Sequence, residues 1–160
     1  MDGIWQSMET QRFKIVEQKI MDDIEKFEEL FVEHWDEIAK NKEVMVLKPD
    51  YEKYKYLEES GVMRTLVAYD SEEIVGYSVN FVQNHLHYSD LITCYNDIVY
   101  LRKDKRNSPL GLRLIRATEK FAKEIGAHML LWHVKEGSSI SKILPKIGYG
   151  VQDVIYSKTI

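Results

Sequence analysis

Cysteine is nearly absent: the chain of 160 residues has one, Cys94. An internal disulfide is excluded, and a cysteine-built metal centre has no second thiol; a reducing compartment fits. Prolines number three, Pro49, Pro109 and Pro145. No Pro/Gly/Ser linker, low-complexity tract or internal repeat breaks the sequence, so one domain over 1–160 is expected. Positive charge is the minority sign, with 22 Lys and Arg against 26 Asp and Glu and a formal net charge of −4. A broad basic surface for phosphate backbones is missing, which argues against nucleic acid as a partner. No apolar run approaches the ~18 residues of a membrane span, and MDGIWQSMETQRFK lacks the basic-then-apolar order of a secretion signal. The expectation is a cytoplasmic, soluble protein with no membrane partner.

What is present is an ordinary globular mixture, 44% hydrophobic and 30% charged. RFKIVEQK at 12–19 alternates as a first strand. From Asp22 to Lys40 the spacing changes: Ile24, Phe27, Phe31, Trp35 and Ile38 form a helical stripe, and the opposite face is acidic. A second helix follows Pro49-Asp50 and ends at Gly61. MRTLVAYD and EIVGYSVNFV read as a hairpin around Asp70-Ser71-Glu72-Glu73, with another strand over 91–101 and HLHY (85–88) in the loop between. A helix follows residue 108, with Leu110, Leu114, Phe121 and Ile125 inward and Gly126 as its stop. HMLLWHV is a short strand, SSISKILPKIG a short helix, and YGVQDVIYSK a closing strand. The order β, α, α, β, β, β, α, β, α, β predicts an α+β (mixed α/β) fold with helices on both faces of the sheet.

RKDKRNSPLGLRL, residues 102–114, gathers cations in this acidic chain. Ser108 is placed to cap the helix and Pro109 suits its first position. The amides beyond them, with the helix dipole, form a ready anion site. Gly111 lets a ligand reach the backbone without a Cβ in the way. Arg102, Lys103, Lys105 and Arg106 precede the turn, and Arg113 and Arg116 follow it. A pyrophosphate would fit there; a solvated basic helix end would look the same.

A strand, then Arg-x-x-Gly-x-Gly, then a helix is the acyl-CoA signature of the GCN5-related N-acetyltransferases (GNAT). Arg106-Asn107-Ser108-Pro109-Leu110-Gly111 resembles it, with Pro109 in place of the first glycine, and Gly148-Tyr149 is similar to the family's later Gly-Phe. The HLHY segment, Asn96-Asp97, Trp132-His133 and the final YSK resemble a branch often found in bacteriophage genomes. The resemblance implies a mixed, mostly antiparallel sheet of 6–7 strands with a V-shaped splay. It implies acetyl-CoA as co-substrate, its pantetheine arm on backbone groups near Val99 and Leu101 and its pyrophosphate on amides of Asn107, Ser108, Leu110, Gly111 and Leu112, beside Arg106 and Pro109. No metal is implied. The acyl group would pass directly to an amine of a small molecule or a protein, and a homodimer is compatible with this.

An ammonium must lose a proton before it attacks, so a base is needed. The resemblance places Asp97 at the level of the family's acidic base. His85 and His87 are rivals, since histidines titrate near neutrality, and either could instead contact the acceptor. His133 would face the gap or sit bonded in the core. Trp35 lies on the helix that would border the acceptor. The tyrosine that many family members use as acid falls at Leu144; Ser138, Ser139 and Tyr156 are the substitutes. The departure also permits a catalytically weak or inactive module that binds CoA as part of a phage or host assembly. Cys94 has no adjacent histidine to mark it as a nucleophile.

Overall fold

The computed structural model describes residues 12–160; most of the N-terminal stretch inspected for a signal lies outside them. Strand β1 (Phe13–Glu17) leads through a 3-10 turn to helix α1 (Ile24–Ile38) and helix α2 (Tyr51–Glu59). Strands β2 (Met63–Asp70), β3 (Glu73–His85) and β4 (Tyr88–Leu101) follow. Then come a 3-10 turn (Lys103–Lys105), helix α3 (Leu110–Glu124), strand β5 (Met129–Trp132), helix α4 (Ser139–Ile143) and a last 3-10 turn. The punctuation acts as the sequence suggests: Asp50 accepts the Lys53 N–H at 3.0 Å to cap α2, and Gly126 follows α3 in the left-handed region at φ 75°.

The five strands lie in sequence order, β1 to β4 antiparallel and β5 parallel to β4. Two cores flank the sheet. Leu110, Leu114 and Phe121 of α3 pack with Phe13, Leu66, Val75, Cys94 and Leu101. Phe27, Leu30 and Phe31 of α1 pack on the other face with Met63, Val67, Tyr77, Val79 and Tyr100. Gly76 is where β4 comes closest: a Cβ there would sit 2.6 Å from the Tyr100 carbonyl oxygen.

A bulge in β4 decides which residues meet which core. Val79 pairs with Ile98 but Asn80 with Asn96, so Asp97 is the extra residue. Cys94 belongs to the α3 core, and beyond the bulge so do Val99 and Leu101, while Ile98 and Tyr100 pack toward α1. Without the insertion the alternation would run the other way. The buried Asn96 amide holds the bulge, donating to Ser78 Oγ and Asn80 Oδ1, both at 2.9 Å.

The expected 6–7 strands are not formed. Residues 150–160 make no strand, and Val151, Val154, Ile155 and Tyr156 are all exposed. Alternation shows that a segment can pleat but supplies no partner. Here the chain leaves through Gly148 at φ 101°, and near its end Thr159 accepts a hydrogen bond from Asn41 in the α1–α2 connection.

Candidate active site

The candidate site lies where β4 runs on past the end of β5. Their pairing runs only from Thr93↔Met129 to Asn96↔Trp132, closed by the His133 N–H on the Asn96 carbonyl at 3.0 Å. From Asp97 to Leu101, β4 has β3 on one side and, among the described residues, no strand on the other.

At the end of that gap stands the N-terminus of α3. The first helical bond runs from the Arg113 N–H to the Pro109 carbonyl at 3.0 Å, so the Gly111 and Leu112 amides ahead of it have no helical acceptor. Ser108 Oγ accepts the Leu110 N–H at 3.3 Å and donates to the Lys105 carbonyl at 2.6 Å. Pro109 is itself the residue that caps α3, without a side-chain cap bond, so the helix starts one residue later than expected and Ser108 lies outside the cap position. Asn107, Pro109 and Leu112 are exposed, and Leu110 is fully buried and anchors the turn. A Cβ on Gly111 would meet Leu101 Cδ2 at 3.5 Å, an ordinary contact. Packing does not require this glycine, although glycine in a helix costs about 1 kcal/mol relative to alanine.

The cations around the turn are largely engaged. Arg102 pairs with Glu73, Glu33 and Asp104, and Lys105 with Asp70 at 2.7 Å. Arg106 sets its two terminal nitrogens on Glu37 at 2.6 and 2.8 Å and its Nε on the Leu101 carbonyl at 2.7 Å. The resemblance put the pantetheine arm near that same carbonyl. Arg116 pairs with Glu119 at 2.7 Å. Among the described residues Lys103 and Arg113 make no ion pair with a carboxylate; Arg113 donates to the Phe13 carbonyl at 3.1 Å. The guanidinium frame expected from the sequence is thus mostly a set of struts, and the Gly111 and Leu112 amides are the groups of the turn left without a helical acceptor.

The bulge sets Asp97 on the face covered by α1 and α2. Burial raises the Asp97 carboxyl above the usual carboxylate range, and His133 opposes the shift. Tyr95 is raised by burial and by Asp97, and its hydroxyl lies 2.5 Å from His133 Nδ1. Tyr54 of α2 is raised by burial, then by Asp97 and Glu58. Asp97, Tyr95, His133 and Tyr54 form one electrostatic cluster just past the last β4–β5 pair. The sequence offers Tyr95 only as a neighbour of Asp97; its pairing with His133 spans 38 residues and has no local signal.

Other candidates fall elsewhere. His85 and His87 occupy the tip of the β3–β4 hairpin, where His85 packs on Tyr88 at 4.8 Å. Nine residue steps along β4 lead from Tyr88 to Asp97, roughly 30 Å of strand, so the fold does not bring His85 or His87 together with Asp97. Tyr156 is 91% exposed with no strand to carry it inward. Ser138 Oγ accepts the Ser141 N–H as the cap of α4. Trp35 lies off the buried face of α1; it donates to the Met45 carbonyl at 2.5 Å and has Lys42 over its ring at 4.8 Å. Its neighbour His34 takes the core position instead. Leu144 is buried, and Tyr149 after Gly148 donates to Glu119 at 2.9 Å and packs edge-on against Trp132. Burial pushes the Cys94 thiol up to about 11, which leaves it unactivated.

The profile described as the acetyltransferase (GNAT) family matches residues 24–149. Several solved structures share the fold. An aminoglycoside acetyltransferase from an uncultured soil metagenomic sample is 14% identical with a TM-score of 0.74, covering 92% of this chain and 98% of that one. The ribosomal-protein-alanine N-acetyltransferase of Brucella melitensis biovar Abortus 2308 is 16% identical with a TM-score of 0.71, covering 92% and 99%. The glucosamine-6-phosphate N-acetyltransferase of Arabidopsis thaliana is 16% identical with a TM-score of 0.69, covering 92% and 97%. No curated protein sequence matches.

Proposed function

The chain belongs to the GNAT acetyltransferase family, and from that premise we propose that it is an N-acetyltransferase that takes acetyl-CoA as donor and a primary amine as acceptor. The observation that carries this reading is Gly111, a helix glycine that packing does not demand, at the end of an unpaired stretch of β4. A Cβ-free amide row at a helix N-terminus suits a pyrophosphate. In this reading the Gly111 and Leu112 amides hold the diphosphate, and the open edge of β4 around Val99 offers hydrogen bonds to an extended amide arm. Bound acetyl-CoA supplies the activated thioester.

The chain's own part is proton handling. Asp97, whose carboxyl burial raises above its ordinary value, accepts the ammonium proton of the acceptor, directly or through one water. Tyr95 and His133 border the carboxylate and orient the incoming amine. No side-chain acid is assigned to the departing thiolate, because Leu144 is apolar and Ser138 is a cap. The acceptor is a small molecule or a protein, and the phage-associated branch and cytoplasmic setting rest on the sequence alone.

Leu144 also favours a second reading, a CoA-binding module without turnover. Calorimetry with CoA, then a thiol-release assay over an amine panel with acetyl-CoA, separates the two. Binding with release supports the enzyme, binding without release on any amine supports the module, and absence of binding rejects both.

A further inference from the structure

Arg106 is the residue by which the turn most resembles an acyl-CoA signature, and its guanidinium is held by protein. Glu37 of α1, 69 residues away in the chain, takes both terminal nitrogens in a fork, and Nε closes on the Leu101 carbonyl. Such bidentate, charge-assisted contacts fix direction as well as distance. The guanidinium also lies over the Tyr100 ring at 5.5 Å. One turn back on α1, His34 stacks on the same ring with centroids 4.4 Å apart and meets the Tyr77 hydroxyl at 2.6 Å. The end of α1, the last residues of β4 and the start of the phosphate turn are therefore one clamped unit.

We propose that Glu37 is a positioning residue: through Arg106 it fixes the 106–112 turn so that the Gly111 and Leu112 amides converge on the donor's diphosphate, which ties donor affinity to the seating of α1. This rests on the acyl-CoA reading above. It differs from the simpler idea that Arg106 grips phosphate itself, and the two predict opposite signs. If Arg106 were a phosphate ligand restrained by Glu37, removing the carboxylate would release the guanidinium and tighten CoA. If Glu37 positions the turn, removing it loosens CoA.

The test is calorimetric titration of CoA into wild type, Glu37→Gln, Glu37→Asp, Arg106→Gln and the Glu37→Gln/Arg106→Gln double variant, each checked for folding by thermal melt. Glu37→Gln is expected to raise the CoA Kd about five- to tenfold, the low end of ordinary coupling between sites. Glu37→Asp should recover part of that loss, and the double variant should bind no worse than Arg106→Gln, because the pair acts as a unit. With acetyl-CoA and an accepted amine, the loss should fall on KM for the donor and leave kcat at saturation. An unchanged or lower Kd in folded Glu37→Gln overturns the proposal, as does a double variant whose losses simply add. Failure of wild type to bind CoA overturns the functional reading first, and this with it. If Glu37→Gln does not fold, Glu37→Asp decides: a Kd raised over wild type supports positioning, and an unchanged one overturns it.

Discussion

The imidazole of His34 lies nearly parallel to the Tyr100 ring, 20° between planes and 4.4 Å between centroids. Its Nδ1 is 2.6 Å from the Tyr77 hydroxyl in the core beneath α1. The histidine is 7% exposed.

Burial lowers the His34 pKa from 6.5 to about 4, with Glu37 opposing and Lys135 and Arg106 assisting. Between those values the unfolded chain binds more protons than the folded one, so stability rises with pH across the window. The contribution is complete above 6.5 and gone by about pH 4, a change of roughly 3 kcal/mol. Urea unfolding followed from pH 7.5 to 4 should show this slope, and His34→Gln should flatten it. Asp70, held low by Arg12 and Lys105, loses its contribution only as pH falls below the ordinary carboxylate range, so the two effects separate.

Asp97→Asn should leave the CoA Kd unchanged and lower turnover by about 10²- to 10⁴-fold, the usual worth of a general base. Because burial raises this carboxyl, the acid limb of the wild-type rate profile should lie above the position for a free aspartate. A variant that keeps both the rate and the limb would show that another group takes the proton.

Gly111→Asp should move stability and binding in opposite directions. A Cβ has room there at 3.5 Å from Leu101 Cδ2, and a carboxylate in the first turn of a helix is stabilising by about 0.3–1 kcal/mol. The same carboxylate would repel a diphosphate at the amide row. A melting temperature held or raised, with CoA binding lost, is the expected pair of results.

Gly76→Ala should destabilise the β3–β4 pairing. The new Cβ would meet the Tyr100 carbonyl at 2.6 Å and Leu101 Cδ1 at 2.9 Å, and backbone cannot swing aside as a flexible side chain can. Overpacking of this kind costs about 1–3 kcal/mol, readable as a lower urea midpoint.

Much of the fold is legible in the sequence because the strands and helices carry clean periodicities. Phe27 and Phe31 face the core as the stripe on α1 suggests, and Gly126 ends α3. Trp35 and His34 trade places, because a helical stripe is defined only to within one residue when a tyrosine pair such as Tyr77 and Tyr100 can satisfy an imidazole. The closing strand fails for a different reason: nothing local in YGVQDVIYSK says which edge it can reach. Around the site, Asp97 is marked by its type and place in the motif order, but its face depends on a bulge that only the pairing with β3 reveals. The cations of 102–106 read as ligand groups because their carboxylate partners, Glu37 and Asp70, are distant in sequence.

The extra residue at Asp97 makes this region sensitive to length as well as to chemistry. A chain one residue shorter between Tyr95 and Ile98 would turn Tyr100 toward α3 and Leu101 toward α1. That exchange would strip His34 of its stacking ring, unseat Arg106 and withdraw the carboxylate together. Single substitutions there leave the count intact: Asp97→Asn would cost turnover yet keep the Tyr100 ring under His34, whereas a deletion would lose both.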